Sequence, residues 1–413
     1  MMRQWCVARG KSSNVNAEKP FIGLVLALAP RYSETFLTAK VQGLRDNGYE
    51  VAVFVGSGEG GPGIYRALGI AKSTPVRSVV MSGFAWTMLL LRRPGRVWRF
   101  IRSERALGRG PVEIAQRMAA YYHVLMHARS GWLHFGFTAL AVGAESLASA
   151  IGSRMGVSLR GYDIAMYPLK HPGSLADLWS KVDKVHTISD DLTLTARRHG
   201  MPASIPVVKI TPAVDLEFFQ RRTPHVAKEG ALRIVTVSRL HWKKGIEYVL
   251  MALKELSVAK PNIAWTYKIV GDGAELERLA FAAAEMGLSD RVSFSGKQKQ
   301  EAVRELYEQA DCCVQYSVQE GFCNAVLEAQ AMELPCIVSD AEGLPENVGE
   351  NGVVVPRRQP EMLANALAAV AVLPVDVRKE KTLAARKRLE AKFNVERQRE
   401  AFAEFFKINR GVR

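Results

Sequence analysis

The chain has 413 residues, of which 48% are hydrophobic and 23% are charged, and its formal net charge is +15. These proportions are typical of a globular protein and argue against a disordered or fibrous chain, and the length fits two domains. The five cysteines are an odd number spread over a long chain, so they indicate reduced thiols rather than a disulfide framework, and none has the paired spacing of a zinc site.

The first half of the chain alternates between strand and helix patterns. Residues 1–20 are polar, lack the apolar stretch of a signal peptide and predict a flexible tail. The predicted elements that follow are a strand at 21–28, a helix at 35–47, a strand at 49–55, a glycine-rich loop at 56–63, helices at 114–126 and 139–151, and strands at 157–159 and 184–188. This alternation predicts a doubly wound α/β sheet.

The same alternation restarts after Pro212. The predicted elements of this half are strands at 232–237, 265–270, 292–294, 312–315 and 336–339, with helices from 246, at 275–286, at 300–309 and at 395–408. Two α/β units with a junction near residue 213 predict two Rossmann-like domains facing a cleft, at 21–213 and 214–390.

The positive charge is concentrated in the first domain. Residues 1–213 carry a net charge of +14, whereas residues 214–413 carry +1. Six arginines between Arg92 and Arg105 alternate with tryptophan, leucine and other apolar residues. Such a pattern on one short helix fits a helix at a membrane interface, and it also fits the solvated face of a core helix, so both interpretations stay open.

No segment reaches the ~20 consecutive apolar residues that a membrane-spanning helix needs. We therefore expect a cytoplasmic protein, or one attached to the inner face of the plasma membrane through its basic domain. Nucleic acid is a weaker interpretation of the charge, because no zinc finger, helix-turn-helix or RNA-binding aromatic signature accompanies it. No nucleic-acid partner is expected.

Chemistry in such sheets is expected in the loops after the strands. After the strand at 232–237, Arg239 and Lys244 flank a tight loop before a helix. Two cations beside a helix N-terminus can form a diphosphate site through their charge and the free backbone N–H groups. A basic loop that is merely solvated is the alternative.

A second loop places two carboxylates around a glycine turn. After the strand at 312–315, Glu320 precedes Gly321, and Glu328 lies inside the following helix. Glycine lets a ligand approach the backbone closely, free N–H groups after it can hold phosphate, and the carboxylates can accept the hydroxyl hydrogens of a sugar or a ribose. The alternative is a helix cap and an internal ion pair.

These two loops resemble a known family. The sequence R-x-x-x-x-K-G from Arg239, followed by E-G-F-x-x-x-x-x-E from Glu320 to Glu328, is similar to the retaining glycosyltransferases of family GT4, which have the GT-B fold. Gly271-Asp272-Gly273 and Gly343-Leu344-Pro345-Glu346 match donor-domain loops of that family, and Pro30 to Phe36 and His134-Phe135-Gly136 resemble its bacterial exopolysaccharide, colanic acid and lipopolysaccharide branch.

The resemblance implies specific roles in a donor site. Arg239 and Lys244 would bind the donor diphosphate, Glu328 the ribose, and Glu320 the donor sugar as a catalytic residue. The remaining donor-binding candidates are Gly271, the backbone of Gly321 and Phe322, and Asn324 at the start of a helix whose positive end would face the phosphates. No Asp-x-Asp motif is present, so no metal or other cofactor is expected.

The first domain departs from the family at one position. Many members carry histidine where this chain has Arg160, and arginine cannot act as a base, although it can hold a phosphate or an acidic sugar. Arg160 and His134 are the further catalytic candidates, with a structural role for His134 as the alternative. Ser33, Glu34 and Asp163 are candidates on the acceptor side, although Ser33 and Glu34 also suit a helix N-cap.

The resemblance thus implies a retaining, metal-independent hexosyltransferase. It would use a nucleotide-sugar such as a UDP- or GDP-sugar, and its acceptor would be a lipid-linked glycan in bacterial surface polysaccharide synthesis. Residues 391–413 would hold a helix that crosses back onto the first domain.

Three other functions remain as alternatives. A non-catalytic sugar-nucleotide-binding protein would explain Arg160, and a basic nucleic-acid-binding protein would explain the charge. A dehydrogenase ranks last: Gly58, Gly60 and Gly63 have dinucleotide-binding spacing, but no acidic residue follows before Glu104 to hold a ribose.

Overall fold

Two parallel β-sheets organise the computed structural model, which describes residues 19–28, 35–58, 61–70, 74–224 and 231–407. Within those residues the first sheet has seven strands in the order β3-β2-β1-β4-β5-β6-β7. The strands are β1 (Phe21–Leu28), β2 (Glu50–Ser57), β3 (Ile64–Arg66), β4 (Gly131–Phe135), β5 (Arg154–Leu159), β6 (Lys184–Thr187) and β7 (Val207–Lys209). In register, Phe21 of the central strand pairs with Glu50 on one side and with Gly131 on the other.

Helices cover both faces of this sheet. They are α1 (Thr35–Asp46), α2 (Pro75–Arg92), α3 (Pro94–Ala106), α4 (Pro111–Ala120), α5 (Tyr122–His127), α6 (Thr138–Ala141), α7 (Leu147–Ile151), α8 (Tyr162–Ala165), α9 (Tyr167–Lys170), α10 (Ala176–Trp179) and α11 (Asp190–Arg198). The central strands are apolar on both faces, as a covered parallel sheet requires: Phe21 and Ile22 of β1 point to opposite faces, and both are buried.

The second sheet repeats the same topology with six strands in the described residues, in the order β10-β9-β8-β11-β12-β13. Its strands are β8 (Ala231–Val237), β9 (Ala264–Val270), β10 (Val292–Phe294), β11 (Cys312–Gln315), β12 (Cys336–Ser339) and β13 (Val353–Val355). Its helices are α12 (Ile246–Ala259), α13 (Leu276–Glu285), α14 (Gln300–Gln309), α15 (Asn324–Ala331), α16 (Leu344–Val348), α17 (Pro360–Ala371), α18 (Val375–Lys392) and α19 (Val395–Phe405).

Both sheets reverse their winding direction at one point, between β1 and β4 and between β8 and β11. Ligands of doubly wound sheets bind outside the carboxyl ends of the strands at such a point. The loop after β8 contains Lys244 and the loop after β11 contains Glu320, so the topology alone brings these two predicted residues together.

Helix α19 belongs to the second half of the chain but packs on the first sheet. Phe405 and Phe406 are buried against Trp132 of β4. The Trp132 indole N–H donates a hydrogen bond of 2.8 Å to the carbonyl of Phe406, and Tyr49 donates one of 2.9 Å to the carbonyl of Ala403. The end of the chain therefore ties the two domains together.

Most predicted elements of the second half agree with the structure to within one or two residues, but two predicted helices of the first half are wrong. The helix expected at 114–126 is divided into α4 and α5 at Tyr121. The helix expected at 139–151 is divided into α6 and α7, because Gly143 adopts a left-handed φ of +81° and its carbonyl accepts a hydrogen bond from Arg117.

The arginine-rich segment also differs from the single short helix that was expected. It spans two helices, α2 and α3, which break at Arg93 before Pro94. In the described residues no single helix is long and apolar enough to cross a membrane, and only the bent pair of Pro360–Ala371 with Val375–Phe405 meets that test together.

Four cysteines among the described residues are buried free thiols, Cys312, Cys313, Cys323 and Cys336.

Candidate functional site

A cleft of about 370 Å³ lies between the two domains and is lined from both sides. Its lining residues are Phe137, Arg160, Gly161, Tyr162, Met166 and Lys170 from the first domain, and Arg239, His241, Trp242, Lys243, Lys244, Gln319, Glu320 and Gly321 from the second. Five of these carry a fixed positive charge and one is a carboxylate, so the cleft is suited to an anionic ligand.

The loop after β8 positions Lys244 by a close backbone contact. A short 3₁₀ helix at Trp242–Lys244 ends at Gly245, whose φ is +60°. A Cβ atom on Gly245 would lie 2.2 Å from the carbonyl oxygen of Tyr316, so only glycine lets the loops after β8 and β11 approach so closely. The Val318 N–H donates a 2.6 Å hydrogen bond to the Lys243 carbonyl and joins the same two loops.

This approach brings Lys244 and Glu320 into a salt bridge. Both side chains are mostly buried, and the Ser317 hydroxyl lies 3.3 Å from the same carboxylate oxygen of Glu320. Burial lowers the pKa of Lys244, but the carboxylate of Glu320 and the thiol of Cys323 together raise it, so the pKa lies above its usual value. The lysine is therefore a fixed cation at the floor of the cleft.

Glu328 lies on α15, one turn after the first residue of that helix. The hydroxyl of Tyr307 is 3.4 Å from its carboxylate. Burial raises the pKa of Glu328 to about 7, and the hydrogen bond from Tyr307 opposes that rise only in part. A carboxyl group so poorly solvated gains from any hydroxyl that can donate to it.

The other donor-side candidates lie around this pair. Arg239 is exposed in the cleft, and Asn324 is exposed as the first residue of α15. Phe322 is buried and packs beside Phe393, so only its backbone faces the loop. A Cβ on Gly271 would lie 1.8 Å from the Ser238 carbonyl oxygen, so this glycine supports the loop after β8 from behind and does not line the cleft.

Arg160 reaches the cleft from the first domain, as part of the loop after β5. Its guanidinium lies 5.9 Å from the ring centre of Phe137. Burial lowers the pKa of Arg160 to about 10, with Asp163 acting in the opposite direction, so the group remains charged at neutral pH. It is a cation placed opposite Lys244 and Glu320.

Asp163, a candidate on the acceptor side, does not line the cleft. Its side chain is fully buried, and its carboxylate accepts hydrogen bonds from the Thr138 N–H at 3.0 Å, the Thr138 hydroxyl at 2.5 Å and the Arg160 N–H at 3.0 Å. Both carboxylate oxygens of Asp163 thus accept hydrogen bonds from the segments at Thr138 and Arg160. Asp163 therefore positions the backbone of Arg160 rather than contacting a substrate.

His134, the other catalytic candidate of the first domain, does not line the cleft, and its surroundings favour the structural alternative. His134 is buried in β4, with its Nε2 2.8 Å from the Ser158 hydroxyl, which in turn is 2.9 Å from Nδ1 of His186. His186 Nε2 must donate to the Ile210 carbonyl at 2.9 Å, so Ser158 donates to His186 and His134 Nε2 donates to Ser158. The proton of His134 is thus committed to a hydrogen-bond chain inside the sheet.

Two of the predicted residues, Ser33 and Glu34, lie outside the described residues. Conversely, sequence reasoning missed nine of the residues that line the cleft, among them Tyr162, Lys170, Lys243 and Gln319. Lys243 could have been found from its position beside Lys244, and its ammonium lies 5.0 Å from the ring centre of Tyr162 across the cleft. Lys170 belongs to a short helix with no motif, so no sequence signal indicated it.

The described residues bring together no group of three His, Cys, Asp or Glu side chains that could hold a metal ion. Charge in the cleft is instead supplied by lysine and arginine.

Comparison with known proteins agrees with this geometry. Residues 231–371 match the family described as Glycosyl transferases group 1. The chain is 27% identical over 272 residues to WcaL of Escherichia coli K12, a putative glycosyltransferase of colanic acid biosynthesis, covering 63% of this chain and 66% of that protein. It is 31% identical over 176 residues to AmsK of Erwinia amylovora, a glycosyltransferase of amylovoran biosynthesis, covering 40% and 41%.

The chain therefore spans less than two thirds of the length of these curated relatives. The fold extends further than the sequence similarity. The crystal structure of Anabaena Alr3699/HepE in complex with UDP and glucose superposes with a TM-score of 0.66 at 15% identity, covering 93% of this chain and 98% of that one. Residues 231–371 thus match a group 1 glycosyl transferase domain, and the chain as a whole has the GT-B fold that was expected from the two loops.

Proposed function

We propose that this chain, which carries a group 1 glycosyl transferase domain, is a retaining glycosyltransferase that takes a sugar from a nucleotide-sugar and transfers it to a glycan acceptor. The observation that carries the proposal is the juxtaposition of Lys244 and Glu320 with Arg239 in a cleft between two Rossmann-like domains. The solved structure of Alr3699/HepE contains UDP and glucose, and a nucleotide-sugar is the donor that such a cleft would hold here.

The cations account for the phosphates of the donor. Arg239, Lys243 and Lys244 line one side of the cleft near the first turn of α15. A nucleoside diphosphate leaves with growing negative charge, and cations with a helix N-terminus stabilise that charge most strongly where water is excluded. We assign the leaving-group role to these groups, and metal independence is part of the proposal.

The carboxylates account for the hydroxyl groups of the donor. Glu328 would accept the ribose hydroxyls, which offer its buried carboxyl group hydrogen-bond donors. Glu320 is paired with Lys244, and an incoming phosphate would give that lysine a second anionic partner. The carboxylate of Glu320 would then be available to the sugar ring.

The first domain would hold the acceptor. Arg160 and Lys170 line its side of the cleft, and a phosphate or an acidic sugar is the group that these cations would recognise. The similarity to WcaL and the net charge of +14 on residues 1–213 support a lipid-linked glycan acceptor of bacterial surface polysaccharide synthesis. A cytoplasmic protein at the inner face of the plasma membrane fits this acceptor.

The test starts with calorimetric titration of the full chain with UDP, GDP and ADP, each with and without EDTA. One nucleotide should bind, and EDTA should leave its affinity unchanged. The corresponding nucleotide-sugar should then be consumed, and NMR of the product should show the anomeric configuration of the donor.

The variant that tests the site is Glu320→Gln. We expect it to lower turnover of the donor roughly a hundredfold or more while nucleotide binding persists, because only the charge next to the reacting sugar is removed. Glu277→Gln, on the exposed face of α13, is the matched control. Full activity in Glu320→Gln would contradict the catalytic role, inversion at the anomeric carbon would contradict retention, and no nucleotide binding at all would contradict the donor site.

A further inference from the structure

The outer face of α2 is mostly apolar, with the exposed Thr87 between Phe84 and Leu91 as a polar interruption. Val76, Val80, Phe84 and Leu91 follow one another at intervals of four, four and seven residues, which places them on one side of the helix. Together with the adjacent Val79 they are between 53% and 77% exposed. We call these five residues the α2 outer stripe.

The stripe is not the face by which α2 joins the core. The opposite side already packs inward, since Ala85 and Leu89 are fully buried and the Trp86 indole donates a 2.9 Å hydrogen bond to the Ala115 carbonyl. A surface helix of a globular protein normally has charged or polar residues opposite its core face. Contiguous exposed apolar residues instead indicate a surface that contacts something else.

Arginines flank the stripe along the sequence, and acidic side chains are absent from that segment. Residues 74–103 contain no aspartate or glutamate. Arg77 and Arg92 lie near the two ends of α2, and both are exposed. On α3, Trp98 is also exposed, with the guanidinium of Arg102 5.4 Å from its ring centre.

Only part of the arginine cluster takes part in this surface. Arg93, Arg96 and Arg99 donate hydrogen bonds to the carbonyls of Met126, Leu125 and Ala150, at 3.2, 2.8 and 2.9 Å. These carbonyls are at the C-terminal ends of α5 and α7, so the three arginines hold helices together. Arg92, Arg102 and Arg105 are exposed, and they remain available to an outside partner.

We propose that the α2 outer stripe inserts into the interfacial region of an anionic lipid bilayer, with Trp98 beside it and with Arg77, Arg92, Arg102 and Arg105 contacting lipid headgroups. An apolar face with flanking arginines and an interfacial tryptophan matches the chemistry of such a boundary. This surface lies outside the cleft residues, so the inference does not depend on the donor chemistry.

Charge decides between a bilayer and a second copy of the chain. Two copies joined through this face would bring one set of arginines against an identical set, with no exposed acid between residues 74 and 103 to compensate. An anionic bilayer neutralises the same arginines while it covers the valines and Phe84.

The experiment is flotation of the full chain, without nucleotide, on vesicles of phosphatidylcholine alone and of phosphatidylcholine with about one third phosphatidylglycerol. We expect binding to the anionic vesicles only, and weaker binding at high salt because the headgroup attraction is screened. The double variant Val80→Ser/Phe84→Ser should lower the vesicle partition coefficient by roughly tenfold to a hundredfold, because two side chains no longer leave water.

The matched control is Val258→Ser/Phe281→Ser, which removes one valine and one phenylalanine of similar exposure from α12 and α13 of the other domain. It should bind vesicles like the unmodified chain. Equal partitioning of the two double variants would overturn the proposal. So would a sedimentation result in which Val80→Ser/Phe84→Ser converts a dimer into a monomer while vesicle binding stays the same.

Discussion

At the scale of single residues, Glu328 shows how burial changes the chemistry of a carboxyl group. Its pKa is raised to about 7 by burial on α15, where the hydroxyl of Tyr307 lies 3.4 Å from its carboxylate. In the unfolded chain the same group titrates near 4.5. Between these two values the folded protein retains a proton that the unfolded chain has lost.

This difference predicts a pH-dependent stability that Glu328→Gln should remove. A raised carboxyl pKa means that the free energy of unfolding falls as pH rises from about 4.5 to about 7, by at most about 3 kcal/mol, and the loss is complete above pH 7. Glutamine carries no such charge. Relative to the unmodified chain, the variant should therefore gain stability between about pH 5 and about pH 8.

Urea denaturation of the unmodified chain and of Glu328→Gln, at about pH 5 and about pH 8 and without nucleotide, measures this gain in stability. Glu277→Gln is the matched substitution at an exposed position. If the difference in free energy of unfolding between the two proteins is the same at both pH values, the assigned burial of Glu328 is contradicted. In nucleotide titrations at neutral pH the same Glu328→Gln variant should bind more weakly, since a carboxylate accepts ribose hydroxyls better than an amide does.

Other residues show why sequence reasoning placed side chains of the second domain at the cleft more accurately than side chains of the first domain. Lys244 and Glu320 follow neighbouring strands in a rigid topology, so their meeting could be inferred from the order of strands. His134 and Asp163 are the same residue types that occur in active sites, but their hydrogen-bond partners, Ser158 and Thr138, are distant in sequence. A partner set of that kind cannot be derived from spacing along one strand.

At the scale of elements, α19 is the segment whose sequence pattern and structural role agree most directly. Residues 391–413 were expected to hold a helix that crosses back onto the first domain, and the aromatic residues of α19 join the core of the first sheet. Phe405 is fully buried and lies 6.0 Å from Trp132 and 5.5 Å from His134, measured between ring centres. The helix thereby makes the stability of the first domain depend on the last residues of the described chain.

Phe405→Ala should lower the free energy of unfolding by about 3 to 5 kcal/mol, because truncation of a buried phenylalanine loses its burial and leaves a cavity. Phe281→Ala, at an exposed position on α13, is the matched control and should change stability by less than about 0.5 kcal/mol. Denaturant titration followed by tryptophan fluorescence measures both. A Phe405→Ala variant as stable as the control would mean that α19 is dispensable for the first domain.

The elements that sequence periodicity failed to predict are those interrupted by distant contacts. Between α6 and α7, the N–H of Gly143 donates to Glu145, and Glu145 is itself paired with Arg109 at 2.9 Å. Arg109 and Arg117 also contact the buried Glu104. This network of charges fixes a turn where the apolar pattern alone continues a helix, so the tertiary contacts override local propensity.

At the scale of the whole molecule, the chain passes between the domains at two places that lie side by side. The Val214 N–H donates a 2.9 Å hydrogen bond to the Phe393 carbonyl, and the Gln398 amide donates one of 2.7 Å to the Thr211 carbonyl. Two adjacent crossings form a connection about which the domains can rotate. When the two domains close over a ligand, the loops that face each other across the cleft, at 160–161 and 319–321, are the surfaces that come into contact.

A glycine lies at the point of contact in each of these two loops, Gly161 in the first domain and Gly321 in the second. A Cβ on Gly321 would lie 2.7 Å from the Arg160 carbonyl oxygen, and one on Gly161 would lie 3.5 Å from the Cα of Gly321. Nearby, the Asp190 N–H donates a 2.7 Å hydrogen bond to Glu346, and Lys209 lies 3.3 Å from the same carboxyl group. The methyl group of an alanine at position 321 would therefore prevent the close approach of this backbone to that of Arg160.

Gly321→Ala should therefore hold the two domains apart. Since Arg239, Lys244 and Glu328 all belong to the second domain, nucleotide affinity should change only a few-fold. Transfer to an acceptor should fall by roughly a hundredfold, because Arg160 and the groups around Glu320 no longer reach their relative positions. Gly110→Ala, where a Cβ meets no atom within 4 Å, is the control and should keep its turnover.

X-ray scattering of the two variants in solution shows whether Gly321→Ala acts by preventing domain closure or by altering contacts at the reaction centre. Gly321→Ala should have a larger radius of gyration than Gly110→Ala in the presence of nucleotide, because a chain that cannot close remains extended about the connection at Val214 and Phe393. An unchanged radius with lost transfer would place the effect of Gly321 in local donor contacts. An unchanged radius with normal transfer would mean that the cleft works without the close approach of Gly321 to Arg160.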